Sequence, residues 1–132
     1  MENFLLQREL TISCSRTERG KHMQLGIRLH DIKKAPLEER LAIAKEQGFL
    51  CVHLALSKVI TEYPVDDGAL TPGYAMYLKK IFAKNDLDIA VLGCYLNLAN
   101  PDEGQLAKIT HRYLAHIRFA SLLGVGVVGT ET

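Results

Sequence analysis

Two hydrophobic periods alternate along this chain from residue 23 onward, and they constrain its fold more than any other feature. Short segments in which apolar and polar residues alternate predict strands. These segments cover residues 24–30, 49–56, 87–94 and 125–129. Between them, apolar residues recur three or four positions apart, which predicts helices. The helical segments cover residues 36–47, 72–85 and 101–123. Strict alternation of strand and helix predicts an α/β fold with a parallel sheet and right-handed crossovers.

Residues typical of helix ends support these boundaries. Pro36 lies at the start of the first helix. Thr71 is the predicted N-cap of the second helix, and Pro72 occupies its first helical position. Asn100 is the predicted N-cap of the third helix, and Gly124 its stop. The predicted buried stripe of this third helix comprises Leu106, Ile109, Tyr113, Ile117 and Ala120.

The two faces of the first two strands favour a barrel over an open doubly wound sheet. A strand in an open doubly wound sheet is covered by helices on both faces and is continuously apolar. Here Arg28, His30 and His53 lie on one face. The opposite face carries Leu25, Ile27, Leu29, Val52 and Leu54. This asymmetry predicts an outer face covered by helices and an inner face that tolerates polar side chains, as in a (β/α)8 barrel.

The length of the chain predicts only part of such a barrel. Residues 23–132 account for about the first four strands, β1 to β4, so we expect the N-terminal half of a barrel that is truncated after the fourth strand. Residues 1–22 show neither hydrophobic period, and we expect them to be an N-terminal extension outside the fold. The codons of residues 18–20 can form a purine-rich ribosome-binding site, which would make Met23 the true start. A mobile N-terminal arm is the alternative.

Composition and charge exclude several classes of protein. Lys and Arg together number 16 and Asp and Glu 15, without a charged block, so we expect neither nucleic acid nor membrane as a partner. No apolar run is long enough to cross a bilayer or to form a secretory signal. The three cysteines, Cys14, Cys51 and Cys94, are widely spaced and indicate no disulfide framework. We therefore expect a cytoplasmic protein that binds a small molecule.

The candidate functional residues follow from position, because in a (β/α)8 barrel the functional groups lie at the C-terminal ends of the strands. They are His30, Asp31, His53, Ser57, Tyr95, Asn97, Thr130, Glu131 and Thr132. A histidine beside carboxylates could bind a divalent metal, although a strand histidine is more often a hydrogen-bonded packing residue. The long loop after the second strand contains Asp66 and Asp67. Because these two are adjacent, their side chains are expected to diverge rather than share a metal.

Three glycines, Gly124, Gly126 and Gly129, match the dinucleotide-binding pattern GxGxxG. That pattern binds a pyrophosphate only where the glycines form the turn from a strand into the next helix. Here the first glycine lies at a helix stop and the others run through a predicted strand. We therefore interpret them as structural glycines.

Four segments make the chain resemble a known family. They are residues 24–29, 91–102, 116–124 and 127–132, and their order and spacing are similar to those of bacterial sugar phosphate isomerases/epimerases of the xylose-isomerase-like TIM barrel superfamily. The resemblance covers 23–132, the N-terminal half only. It implies a barrel with a single divalent metal, in which paired carboxylates move a proton at the carbon beside a sugar carbonyl.

The resemblance also implies what this chain lacks. The principal metal carboxylates and histidine of such enzymes are expected on later strands, so the catalytic and metal-binding residues stay unassigned and the chain should be inactive and bind no metal tightly alone. The residues that remain are candidate substrate-binding residues: His30, His53, Asn97 and Glu131. Two alternatives stay open. One is a half barrel that self-associates as a homo-oligomer through its open edges, and the other is an endonuclease-like or dehydratase-like relative.

Overall fold

The computed structural model of this chain describes residues 23–130. The four strands are β1 (Gly26–Arg28), β2 (Cys51–Ala55), β3 (Asp88–Gly93) and β4 (Val128–Gly129). The helices are α1 (Leu37–Glu46), α2 (Leu56–Val59), α3 (Pro72–Lys84) and α4 (Glu103–Leu123), and 3-10 turns cover Leu29–Asp31 and Asp67–Ala69. Strands and helices alternate as predicted, with α2 as a short addition at the end of β2. The predicted extension, residues 1–22, lies outside the described residues, as does the end of the predicted barrel half at 131–132.

The four strands form one parallel sheet in the order β1-β2-β3-β4. A doubly wound sheet reverses its strand order at a switch point. Here every strand pairs with its neighbour in sequence, so right-handed crossovers place each connecting helix on the same face. This is the arrangement of a partial TIM barrel, and the predicted fold class is confirmed.

The core lies between this sheet and the helices. Val52, Leu54 and Leu92 on the strands are fully buried, together with Leu78 of α3 and Phe119 of α4. The opposite face carries Arg28, which pairs in register with His53, and Gly93, which pairs with Ala55. The register of β2 against β3 shifts by one residue between Val52 and His53. Beyond the shift, Leu54 pairs with Leu92 on the buried face and Ala55 pairs with Gly93 on the inner face. The strands therefore have the two unlike faces that the sequence predicts.

Several helix ends follow local sequence signals. The hydroxyl of Thr71 accepts a hydrogen bond from the amide of Tyr74 at 3.2 Å, and Pro72 occupies the first turn of α3. Gly124 ends α4 with a φ of 74°, the left-handed conformation that favours glycine. Because it caps a helix instead of opening one, its place in the fold agrees with a structural role for the GxGxxG glycines.

Three local expectations are wrong. Asn100 does not cap α4, because its side chain accepts from the amide of Asp102, and Asp102 in turn accepts from Gln105 and becomes the N-cap. Leu25 lies before the start of β1 and is 65% exposed, so it does not belong to the apolar face of that strand. Ile117 is 44% exposed because α4 turns the neighbouring His116 toward the core.

Between residues 23 and 130, no helix is long and apolar enough to cross a membrane.

Candidate functional site

Two histidines and a tyrosine meet at the C-terminal ends of three consecutive strands. His30 follows β1, His53 lies within β2, and Tyr95 follows β3. The ring centroids of each pair are 5.8 to 5.9 Å apart, with the rings of His53 and Tyr95 stacked at 10° and His30 meeting both edge-on. The hydroxyl of Tyr95 and Nε2 of His53 share a hydrogen bond of 3.2 Å. We refer to His30, His53 and Tyr95 as the mouth cluster.

The His53 ring fits beside β3 because Gly93 on that strand has no side chain. A Cβ atom at Gly93 would overlap Nε2 of His53, and it would also lie 3.1 Å from Cβ of Ala55. Glycine in a strand often marks such a close approach. Gly93 therefore makes the space in which the His53 ring turns toward Tyr95.

A buried arginine fixes the backbone that carries His30. Arg40 of α1 is only 3% exposed, and its guanidinium donates to the carbonyls of Leu29 at 3.2 Å and Ala35 at 2.8 Å. These bonds hold both ends of the loop that follows β1. The side chain of His30 is 11% exposed, and its Nε2 lies 4.0 Å from a carboxylate oxygen of Asp31.

A reciprocal pair of hydrogen bonds fixes the loop that carries Tyr95. The amide of Leu96 donates to the hydroxyl oxygen of Thr130 at 3.3 Å, and that hydroxyl donates to the carbonyl of Leu96 at 3.1 Å. The amide of Cys94 also donates to the carbonyl of Gly129 at 2.7 Å. The end of β4 thereby sets the position of Tyr95 beside the two histidines.

A lysine completes the polar surroundings of the mouth cluster. Lys58 lies in α2, the short helix that begins directly after β2, and its Nζ is 3.8 Å from the centroid of the Tyr95 ring. This distance is within the range of a cation–π interaction. The charges beside β1 form an ion pair, since Nε of Arg28 lies 2.8 Å from a carboxylate oxygen of Asp31.

The structure brings together two of the four predicted substrate-binding residues. His30 and His53 belong to the mouth cluster. Asn97 is exposed, and its side chain accepts a hydrogen bond from the amide of Ala99 at 3.0 Å in a local turn. Glu131 lies outside the described residues. Tyr95, a candidate by position alone, proves to be the link between the strands.

Two participants were missed by sequence reasoning. Lys58 has the signal of lying three residues beyond a strand end, but the four-residue helix that presents it is too short to show a hydrophobic period. Gly93 has no signal of its own, because its role depends on the ring of His53 on another strand.

Cys94, the residue before Tyr95, is not poised as a nucleophile. Cys94 directly follows β3 and is buried, and this burial raises the pKa of its thiol to about 11, with an opposing effect of Arg112 and a further rise from Asp67. A thiolate is the reactive form of cysteine. Cys94 is therefore a packing residue near neutral pH.

The loop between α2 and α3 is tied to helices on both sides. A carboxylate oxygen of Glu62 accepts from the amide of Leu37 at 3.3 Å, and Arg112 of α4 donates to the carbonyl of Val65 at 3.2 Å. Asp66 caps a 3-10 turn, whereas Asp67 faces His111 at 3.3 Å. The two aspartates diverge as predicted.

The mouth cluster does not form a metal site by itself. Between residues 23 and 130 there is no group of three or more His, Cys, Asp and Glu side chains placed to hold a metal ion. Nε2 of His53 is engaged by Tyr95, and Asp31 is paired with Arg28. The divalent metal implied by the family resemblance would need ligands from outside this part of the chain.

The fold and this site define an α/β protein with polar groups at the carboxyl end of a parallel, sequentially ordered sheet. No family model matches the sequence, and no curated protein matches it. Seven chains among the solved structures match. One is titled "xylose isomerase-like TIM barrel/4-hydroxyphenylpyruvate dioxygenase fusion protein", with a TM-score of 0.60 and 17% sequence identity over 82% of this chain.

This chain spans only 16% of the length of that structure. The comparison shows the TIM barrel fold, and it agrees with the resemblance to the xylose-isomerase-like superfamily at the level of the fold.

Proposed function

We propose that this chain supplies the first four βα units of a sugar or sugar phosphate isomerase/epimerase, and that the mouth cluster is part of its substrate-binding wall. The observation that carries the proposal is the convergence of His30, His53 and Tyr95 from three consecutive strands. In TIM barrel enzymes the substrate lies at this end of the strands.

The chemistry of the mouth cluster suits a polyhydroxylated substrate. Imidazole nitrogens and a phenol hydroxyl both donate and accept hydrogen bonds, so they can pair with sugar hydroxyl and carbonyl oxygens. The bond between Tyr95 and His53 orients both groups in advance, which reduces the ordering cost of binding. In the complete enzyme, metal-assisted transfer of a proton beside the sugar carbonyl would require carboxylates, which the mouth cluster does not contain.

Binding by the 132-residue chain tests this proposal. We expect D-fructose or D-fructose 6-phosphate to shift the ring signals of His53 and Tyr95 in NMR spectra of the folded chain. In the variant His53→Asn, the Tyr95 ring signals should no longer respond to the sugars. In His111→Asn, at an exposed site on α4, they should respond as in the parent chain. Ring signals that stay unchanged up to the highest soluble concentration of both sugars would overturn the proposal. A response only to a DNA duplex with an abasic site would favour an endonuclease-like relative instead.

A second candidate, a self-associating half barrel, is supported by the two edges of the sheet. β1 and β4 are the edge strands of the described sheet, and exposed apolar side chains lie beside them. Met23 and Leu25 precede β1 and are 90% and 65% exposed, and Val127 precedes β4 and is 52% exposed. A second copy that pairs with these edges would cover them. Light scattering after size exclusion should then give twice the monomer mass, and a monomer at all concentrations would contradict this candidate.

A further inference from the structure

A groove lies at the β1 edge of the described sheet, on the side that the helices cover. It has a volume of about 390 Å³, and its apolar walls are Ile27 of β1, Ile32 of the loop after β1 and Ile43 of α1. Asp31, Lys33 and Gln47 complete its lining. Because β1 pairs only with β2 in this sheet, a neighbouring βα unit of a closed barrel would place its helix here, beside α1.

An exposed apolar ridge lies on α4, at the opposite edge of the sheet. Phe119 stacks on a tyrosine ring of α3, and the hydroxyl of Tyr113 donates to the carbonyl of Val128, so these contacts define the sides of α4 that face α3 and β4. Ile117 follows Tyr113 by one helical turn, on the side away from α3, and Leu114 lies one turn before Ile117. These two side chains form the ridge and are 44% and 46% exposed.

The groove and the ridge match in height and in charge. The helices of parallel βα units run in the same direction, so their C-terminal ends lie at the same end of the sheet. Ile43 lies three residues before the end of α1 at Glu46, and Ile117 lies six residues before the end of α4. At about 1.5 Å per residue, their heights differ by less than one turn. Beside them, Glu46 and Arg118 are exposed, carry opposite charges and belong to none of the ion pairs among residues 23–130.

We propose that the groove takes the α4 ridge of a second copy of this chain, with β4 of that copy paired to β1, and that the same contact repeats by twofold symmetry. This inference rests on the self-associating candidate and assigns its interface. Two four-stranded sheets joined in this way supply the eight strands of a closed barrel. Because all eight strands then run in one direction, the mouth clusters of both copies line a single mouth, which one copy alone leaves half built.

Light scattering after size exclusion of the 132-residue chain tests this interface. The parent chain should give twice 14.7 kDa. Ile117→Lys should raise the dissociation constant of the dimer by about a hundredfold or more, because the symmetry buries an unpaired lysine in both contacts. Leu122→Lys is the matched control, since Leu122 is 42% exposed on another side of α4, and this variant should dimerise as the parent does. Circular dichroism checks that both variants are folded.

An exchange of charges tests the pairing of groove and ridge directly. Ile43→Glu should also be monomeric on its own. An equimolar mixture of Ile43→Glu and Ile117→Lys chains should dimerise, because a mixed pair has one Lys–Glu contact and one unaltered contact. Ile43 is partly buried, so Gln47→Glu, at an exposed position in the same groove, serves as a second acidic partner for Ile117→Lys.

The outcomes separate this interface from the candidate on which it rests. A parent chain that is monomeric at all concentrations would overturn both. A dimer that Ile117→Lys leaves intact, or that Leu122→Lys weakens equally, would overturn the interface while the self-associating candidate stands. Mixed variants that stay monomeric would also overturn the pairing of groove and ridge. A dimer that Ile117→Lys weakens, Leu122→Lys spares and the mixture restores supports the inference.

Discussion

The ring of His53 occupies the space that a side chain at Gly93 would need. The two residues lie on neighbouring strands, and a Cβ atom at Gly93 would overlap Nε2 of His53, the atom that bonds to Tyr95. The mouth cluster therefore depends on the absence of a side chain as much as on the residues that form it.

The first prediction follows from this overlap. Gly93→Ala should displace the His53 ring, break its hydrogen bond to Tyr95 and lower the free energy of unfolding by about 1–3 kcal/mol, the usual cost of overpacking. Urea denaturation measures the stability, and the ring signals of His53 and Tyr95 report the displacement. Gly126→Ala is the matched control, because a Cβ atom there would contact nothing within 4 Å. Unchanged ring signals in Gly93→Ala would contradict this account of the cluster.

Arg40 provides the second prediction. Arg40→Met removes the bonds to the carbonyls of Leu29 and Ala35 and leaves both acceptors unsatisfied, so we expect a loss of about 2–4 kcal/mol in stability. The His30 ring should also become more mobile, because its backbone is no longer held. Arg118→Met, at an exposed position on α4, should change the stability little. Equal effects of the two substitutions in urea denaturation would rule out a positioning role for Arg40.

The third prediction concerns acid stability. Burial lowers the pKa of His116, although the bond of its Nδ1 to the carbonyl of Arg112 at 2.9 Å opposes this effect. A depressed pKa means that the unfolded state binds the proton more readily, so stability is full above the usual value of 6.5 and declines as the pH falls below it. His116→Gln, which retains a donor for the carbonyl, should remove this part of the decline. Thermal melts from pH 8 to pH 4.5 provide the measurement, and parallel curves for the two proteins would refute the assignment.

Alkaline stability gives the fourth prediction. Because burial raises the pKa of Cys94 from 9.0 to about 11, the stability contributed by its neutral thiol is full below pH 9 and is lost as the pH rises toward 11. Burial raises the pKa of Tyr74 in the same direction. Cys94→Ala should therefore show a shallower decline than the parent chain, with the tyrosine part remaining. At pH 8, mass spectrometry should find Cys94 unmodified by iodoacetamide until urea unfolds the chain, and rapid alkylation of the folded chain would contradict its burial.

The sequence predicted best those features that depend on neighbouring residues. Thr71 and Pro72 form a start signal within one helical turn, and Gly124 ends a helix through its own backbone conformation. The prediction of Asn100 as the N-cap was wrong because Asn and Asp both cap helices, and the turn that engages Asn100 leaves the cap to Asp102.

The candidate site was predicted in part for a related reason. Strand periodicity placed His30 and His53 on the inner face, at the end where barrel sites lie. It could not show that Tyr95 would reach His53, since that contact depends on the bonds between Leu96 and Thr130 at the end of β4. Contacts between residues on different strands cannot be predicted from the pattern within one segment.

The sequential order of the sheet has a consequence for how the fold is assembled. Each strand pairs with the one made just before it, so every new βα unit finds a finished edge on which to dock. Sequential pairing keeps the loops that must close no longer than one connecting helix and its turns, which limits the cost of forming a parallel sheet. During synthesis the order of translation is then also the order of assembly, and the mouth cluster is completed only when the end of β4, which holds the loop that carries Tyr95, leaves the ribosome.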